Sequence, residues 1–126
     1  MNMTKSFATA VALVALSTLS VSAMAASVRV KCETRSDRSK ASVDGSNLSS
    51  GMYTAVLTSG ANSATSPAAQ TVGDEVEFDF DSNRRDIRQG ATPIAKNFIV
   101  GNSVTGSIVD AGGNVVATKT ASCRAR

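Results

Sequence analysis

Two stretches of this chain alternate apolar and charged residues without a break, and a period of two commits such segments to half-buried β-strands. In Val28-Arg29-Val30-Lys31-Cys32-Glu33 the inward set is Val28, Val30 and Cys32, and Arg29, Lys31 and Glu33 face water. From Asp74 to Asp81 the inward set is Val76, Phe78 and Phe80, with Glu75, Glu77, Asp79 and Asp81 outward. The second segment reads as the central strand of the molecule. Beyond residue 25 the chain holds 11 Val and 4 Ile against 2 Leu, with 9 Thr, a balance that favours pleated strands over helices.

Further strands follow from weaker patterns. Ser39 to Val43 reads as a second strand closed by Asp44-Gly45, and Met52 to Thr58 as a third, with either Tyr53, Ala55 and Leu57 or Met52, Thr54 and Val56 buried. Ser59 to Val72 is small, polar and aperiodic, which predicts a long mobile loop or frayed edge that is also a candidate binding surface. Ser82 to Gly90 predicts a short helical turn, with Asp81 or Ser82 as its cap and Gly90 closing it before Thr92-Pro93. Lys96 to Val100, Val104 to Asp110 and Val115 to Cys123 supply the last strands, the final two joined across Ala111-Gly112-Gly113. In the last strand Cys123 shares a face with Lys119, which calls for a bulge. The expected fold class is all-β, a small immunoglobulin-like or fibronectin-like two-sheet sandwich of about seven strands with one short helical turn. A small β-barrel is the alternative.

Residues 1–25 read as a cleaved signal peptide. Lys5 supplies the positive start, Phe7 to Val21 the apolar core, and Ala23-Met24-Ala25 the small-residue cleavage site. The mature protein is therefore expected to begin at Ala26 as one domain, 26–126, in the periplasm or outside the cell. No Cys follows the cleavage site to accept a lipid, and no later segment is apolar enough to span a bilayer. In an exported chain, two cysteines in the first and last strands imply a disulfide between Cys32 and Cys123.

Function classes are narrowed mainly by what is missing. With no His there is no Ser-His-Asp or Cys-His nucleophile and no imidazole metal site, and no S-x-x-K spacing follows the leader. One Met after the leader disfavours copper handling. The charge balance is near neutral and the few aromatics fall at core positions, so nucleic acid is not an expected partner.

Three readings of the charged residues remain. The acidic row on Asp74 to Asp81 is a solvated sheet face, balanced by Arg29 and Lys31 or by Arg84, Arg85 and Arg88. Alternatively Asp79, Asp81, Asn83 and Asp86 supply hard oxygen ligands for Ca2+, although Arg84 stands where a calcium loop needs Gly. A carboxylate-based hydrolase is the third reading, and it needs a cleft between two acids. Arg35, Arg38 and Lys40 form one basic group and Arg84, Arg85 and Arg88 a second, either able to grip an anionic partner. Arg124 and Arg126 read as a solubilising tail. The leading expectation is a non-enzymatic exported module, without a cofactor unless calcium binds, that engages a protein or envelope component through Arg35, Arg38, Arg84, Arg85 and Arg88.

Overall fold

The computed structural model describes residues 25–126, so the signal peptide expected over 1–25 lies outside the described residues except for Ala25. The strands are β1 (Ser27–Arg35), β2 (Arg38–Ser46), β3 (Met52–Ser59), β4 (Asn62–Thr65), β5 (Ala69–Gln70) and β6 (Val76–Asp81). They are followed by helix α1 (Arg84–Arg88), then β7 (Thr92–Pro93), β8 (Ser103–Asp110), β9 (Val115–Ser122) and β10 (Arg124–Ala125). One sheet runs β10-β1-β2-β6-β7 and the other β4-β3-β8-β9, with β5 continuing the β4 edge of β3. The two sheets pack face to face as an open sandwich and not as a closed barrel.

The alternating segments form strands because each has one face that must leave water. Val30 and Cys32 on β1, Val76, Phe78 and Phe80 on β6, and Tyr53, Ala55 and Leu57 on β3 are buried. All four aromatic side chains of the described residues sit in this core; the Tyr53 hydroxyl donates to the Ser49 carbonyl at 2.8 Å. Gly106 on β8 marks a close approach of the sheets. A Cβ there would lie 2.8 Å from a methyl of Val30 and 2.8 Å from one of Val43. The outer face of the β3-β8-β9 sheet carries no charge and is dressed with hydroxyls, Thr105 meeting Thr120 at 2.7 Å and Ser107 meeting Thr118 at 2.9 Å. Apart from Lys119 on the inner face of β9 and Asp110 at the end of β8, the charged side chains are therefore on the other sheet, the rims and the turns.

Several sequence expectations are corrected. Asp44-Gly45 does not close β2, which continues to Ser46, because Gly45 is buried against Leu48 and Ile108. Ser59 to Val72 is not a long loop: Ser59 pairs with Asn62 across a Gly60-Ala61 turn, and β4 and β5 both bond to β3. Buried Ser66 secures the segment, accepting from Ala55 N–H at 2.8 Å. Lys96 to Val100 forms no strand; it is an irregular segment that buries Phe98. β6 is not central, since only the two-residue β7 lies beyond it. No bulge separates Lys119 from Cys123. The register shift falls opposite Ile108 and Val109, and Lys119 stays exposed because β9 is an edge strand. An inward-pointing Lys on an edge also blocks edge-to-edge pairing with another chain. After Ser122 the chain changes sheets, and β10 pairs in parallel with β1.

The Cys32–Cys123 disulfide is present, its cysteines 91 positions apart, at the point where the chain crosses between sheets. Among the described residues no helix is long and apolar enough to cross a membrane.

Candidate functional site

The topology collects at one end of the sandwich the charges that the sequence scatters. β1 and β2 meet there in a two-residue turn flanked by Arg35 and Arg38. β6 runs antiparallel to β2 with Lys40 opposite Asp81, so the chain leaves β6 into α1 at this same end. The helix brings Arg84, Arg85 and Arg88. β7 returns the chain alongside Asp81, and the Ile94 N–H donates to the Asp81 carbonyl at 3.0 Å, which places Lys96 there. β10 then sets Arg124 opposite Glu33, and Arg126 N–H donates to the Thr34 carbonyl at 2.8 Å. The last two arginines are thus not a free tail.

Of the 13 Lys and Arg residues in the sequence, Lys5 lies outside the described residues, which leaves 12; nine of these gather at this end. Only four of the ten carboxylates accompany them, Glu33, Asp37, Asp81 and Asp86. The opposite end has the reverse sign. Asp44, Asp74, Glu75, Glu77 and Asp110 lie there, with Arg29 opposite Asp44 as the nearby cation.

Arg38 is the fastener of the basic end. Its Nε donates to Asp81 Oδ1 at 2.9 Å, and its Nη2 donates to Asp81 Oδ2 at 2.6 Å and to Asp86 Oδ2 at 2.9 Å. The Asp81 side chain is only 3% exposed, so this acid stands on the outer face as the alternation requires but is covered by Arg38 and α1 and not by water. Burial opposes its ionisation, yet the Arg38 hydrogen bonds, the Asn83 N–H and the positive charges of Arg38 and Lys40 prevail. The carboxyl accordingly titrates below its usual range. The same bonds, set against burial, raise the Arg38 pKa and keep it charged.

Hydrogen bonds through buried Ser39 and half-buried Ser82 complete the fastening. Ser82 Oγ accepts from Ser39 N–H at 3.0 Å, and Ser39 Oγ donates to the Lys96 carbonyl at 2.8 Å. Ser82 is therefore not the helix cap. Asn83 is, its Oδ1 accepting from Arg85 N–H at 3.0 Å and Asp86 N–H at 3.3 Å. At the other terminus Ala91 N–H reaches the Asp86 carbonyl and Gly90 N–H the Ile87 carbonyl, with Gly90 at φ 111°. This paired closure stops the helix after five residues.

The two predicted basic groups are therefore one, but their members differ in availability. Arg38 is consumed by the fold, and Arg35 contacts Glu33 at 3.1 Å. Arg126 shares Glu33 at 3.7 Å. Arg84, Arg85 and Arg88 are exposed, and no ion pair among the described residues engages them. Among the described residues no ion pair joins them to the acidic strand, and β2 lies between that strand and Arg29 and Lys31.

Of the four residues considered as calcium ligands, Asp81 and Asp86 converge, but on the Arg38 guanidinium, and Asn83 is spent on the cap. Asp79, on β6 opposite Ser42, lines a recess of about 180 Å³ together with Asp81, Asp86 and the cation Lys40. Among the described residues no group of three acidic, Cys or His side chains is set to hold a metal ion. An open cleft of about 690 Å³ lies on the outer face of the first sheet, where Glu33 and Asp79 are interspersed with Lys31, Lys40 and Arg124.

The chain matches no family model, no curated protein and no solved structure with which it was compared.

Proposed function

We propose that this is an exported, non-enzymatic β-sandwich module that binds an anionic protein or envelope component through its basic end. The observation that carries the reading is the gathering of seven of the eight arginines beyond the leader at one end, with those of α1 held out into solvent. Side chains that only balanced surface charge would be interleaved with acids, as they are on the outer face of the first sheet, where Arg29, Asp44 and Glu77 stand in one row. Export is supported by the leader and by a disulfide, a bond that persists in oxidising compartments. A binding role fits a chain without an imidazole whose most closely grouped carboxylates are occupied by Arg38.

The test is retention of envelope components on the immobilised oxidised protein. Replacing Arg84, Arg85 and Arg88 together by Glu is expected to release what the native protein retains, while Lys119→Glu, away from this end, leaves it bound. Equal retention by the triple variant removes the basic end from the function.

A further inference from the structure

The basic end has two further properties that bear on what it touches. It offers charge beside polar recesses: every aromatic side chain of the described residues is in the core, and the arginines of α1 line neither the recess of about 180 Å³ among Lys40, Asp79, Asp81 and Asp86 nor the cleft of about 690 Å³ on the sheet face. Recognition of a folded protein or peptide normally rests on a few buried anchors, aromatic or Arg, seated in pockets. No exposed aromatic side chain among the described residues supplies such an anchor, and the arginines of α1 stand outside the recesses. Its cations come from separate turns, from α1 and from β10, spread over an area and not converged on a point.

The second property is polarity. Nine cations against four acids at one end face five acids and one cation at the other, so the domain is an electrical dipole along the strand direction. A plane of negative charge attracts one end and repels the other, which fixes orientation as well as adhesion. The choice of cation narrows the chemistry. Guanidinium presents a planar fork that fits phosphate oxygens in pairs and is more weakly hydrated than ammonium, and arginine outnumbers lysine at this end by seven to two.

We propose that the basic end docks the domain on the phosphate-bearing headgroups of an anionic lipid surface, α1 lying against the membrane and the acidic end turned away. This rests on the binding-module reading above and names its partner. Arg84, Arg85 and Arg88 make the headgroup contacts. Arg38 positions them through Asp81 and Asp86, and Arg124 and Arg126 extend the charged area.

The experiment is co-sedimentation of the purified oxidised protein with vesicles of phosphatidylcholine alone and of phosphatidylcholine mixed with phosphatidylglycerol. Calorimetry with inorganic phosphate forms a third arm. The expected result is binding to the anionic vesicles only, falling steeply as salt is raised. An arginine near an anionic surface contributes roughly fivefold in partition, so replacing Arg84, Arg85 and Arg88 by Ala is expected to lower binding by about two orders of magnitude. Lys119→Ala is expected to leave it unchanged, and an unaltered melting midpoint in the triple variant shows that the fold is intact. Equal binding to neutral vesicles overturns the proposal, as does an unaffected triple variant. Saturable heat with free phosphate overturns it in favour of a discrete anion site. If vesicles fail while an acidic envelope protein is still retained through α1, the lipid reading falls and the binding module stands; if both fail, so does the module.

Discussion

Arg38 shows how much one side chain decides here. Its guanidinium satisfies a carboxylate that has almost no access to water, and removing one partner of a buried pair leaves the other charged and stranded. Arg38→Ala is expected to cost about 3 kcal/mol in chemical denaturation. The pH dependence checks the cause. Because the folded Asp81 carboxyl titrates below its unfolded value, it contributes stability that is present above the unfolded pKa and lost as pH falls through the folded one. The native protein should therefore weaken in acid, and Arg38→Ala should weaken less, since protonation then relieves the stranded charge. Calcium enters the same test: it should raise the melting midpoint of Arg38→Ala, where Asp81 and Asp86 are freed, more than that of the native protein. Asp44 has the opposite sign. Burial first, then Glu77 and Asp79, raises its pKa against the pull of Arg29 and Lys31, so its ionisation works against the fold as pH rises through that range. Asp44→Asn is expected to stabilise the neutral-pH protein by about 0.5 kcal/mol, the scale of a cross-strand like-charge contact, read as a higher denaturation midpoint. Gly106→Ala moves the other way. A methyl placed 2.8 Å from Val30 and Val43 must push the sheets apart, at a cost of about 2 kcal/mol.

Among the elements, α1 exists only by local bonding, since five residues are far too few to hold a helix by propensity. Asn83→Ala removes the acceptor of two N–H groups and should lower stability by about 1 kcal/mol in thermal unfolding. It should also loosen the arginines that α1 presents. Which elements the sequence revealed follows from where they lie. β1, β6 and β8 were legible because each has a wet and a dry face, and the apolar period of two records that division. β4 and β5 were not, because Ser, Ala and Thr at the edge of a sheet bury little and leave no period; pairing to β3 alone makes them strands. The segment around Phe98 misled because its one large buried side chain looked like part of a strand, whereas Ser39 and Ser59 hold its backbone, Ser59 Oγ accepting from Val100 N–H at 2.8 Å. The same limit applied to the site. Every basic residue was visible, but their convergence depends on β2 meeting β6 and on β10 turning back beside β1, and no local pattern encodes either. The oxygen-rich run from Asp79 to Asp86 resembled a cation loop by spacing, and the group that occupies it comes from 43 positions away.

For the molecule as a whole the disulfide is the largest single constraint. The sheets meet on a core with few large side chains, and β10 is held to β1 by a two-residue pairing that follows directly on Cys123. Closing a loop of 91 positions restricts the unfolded chain by about 4 to 5 kcal/mol in the chain-entropy model. Domains of this size have total stabilities of about 5 to 15 kcal/mol, so the bond is expected to supply a large share of what keeps this one folded. Replacing both cysteines by Ser should lower the unfolding free energy by about 4 kcal/mol in denaturant titrations. Equal midpoints with and without the bond would show that the unfolded chain is already restricted. The same variant separates two ways in which the basic end is built. Arg84, Arg85 and Arg88 are set by α1 and by Arg38, which do not depend on the disulfide, whereas Arg124 and Arg126 are brought in by the chain that Cys123 tethers. Below its own melting temperature the cysteine-free protein should retain anion binding that depends on α1 but show a shallower salt dependence, because the two tethered cations no longer stand with the rest. An unchanged salt slope would mean that the β10 pairing holds those arginines in place without the covalent tie.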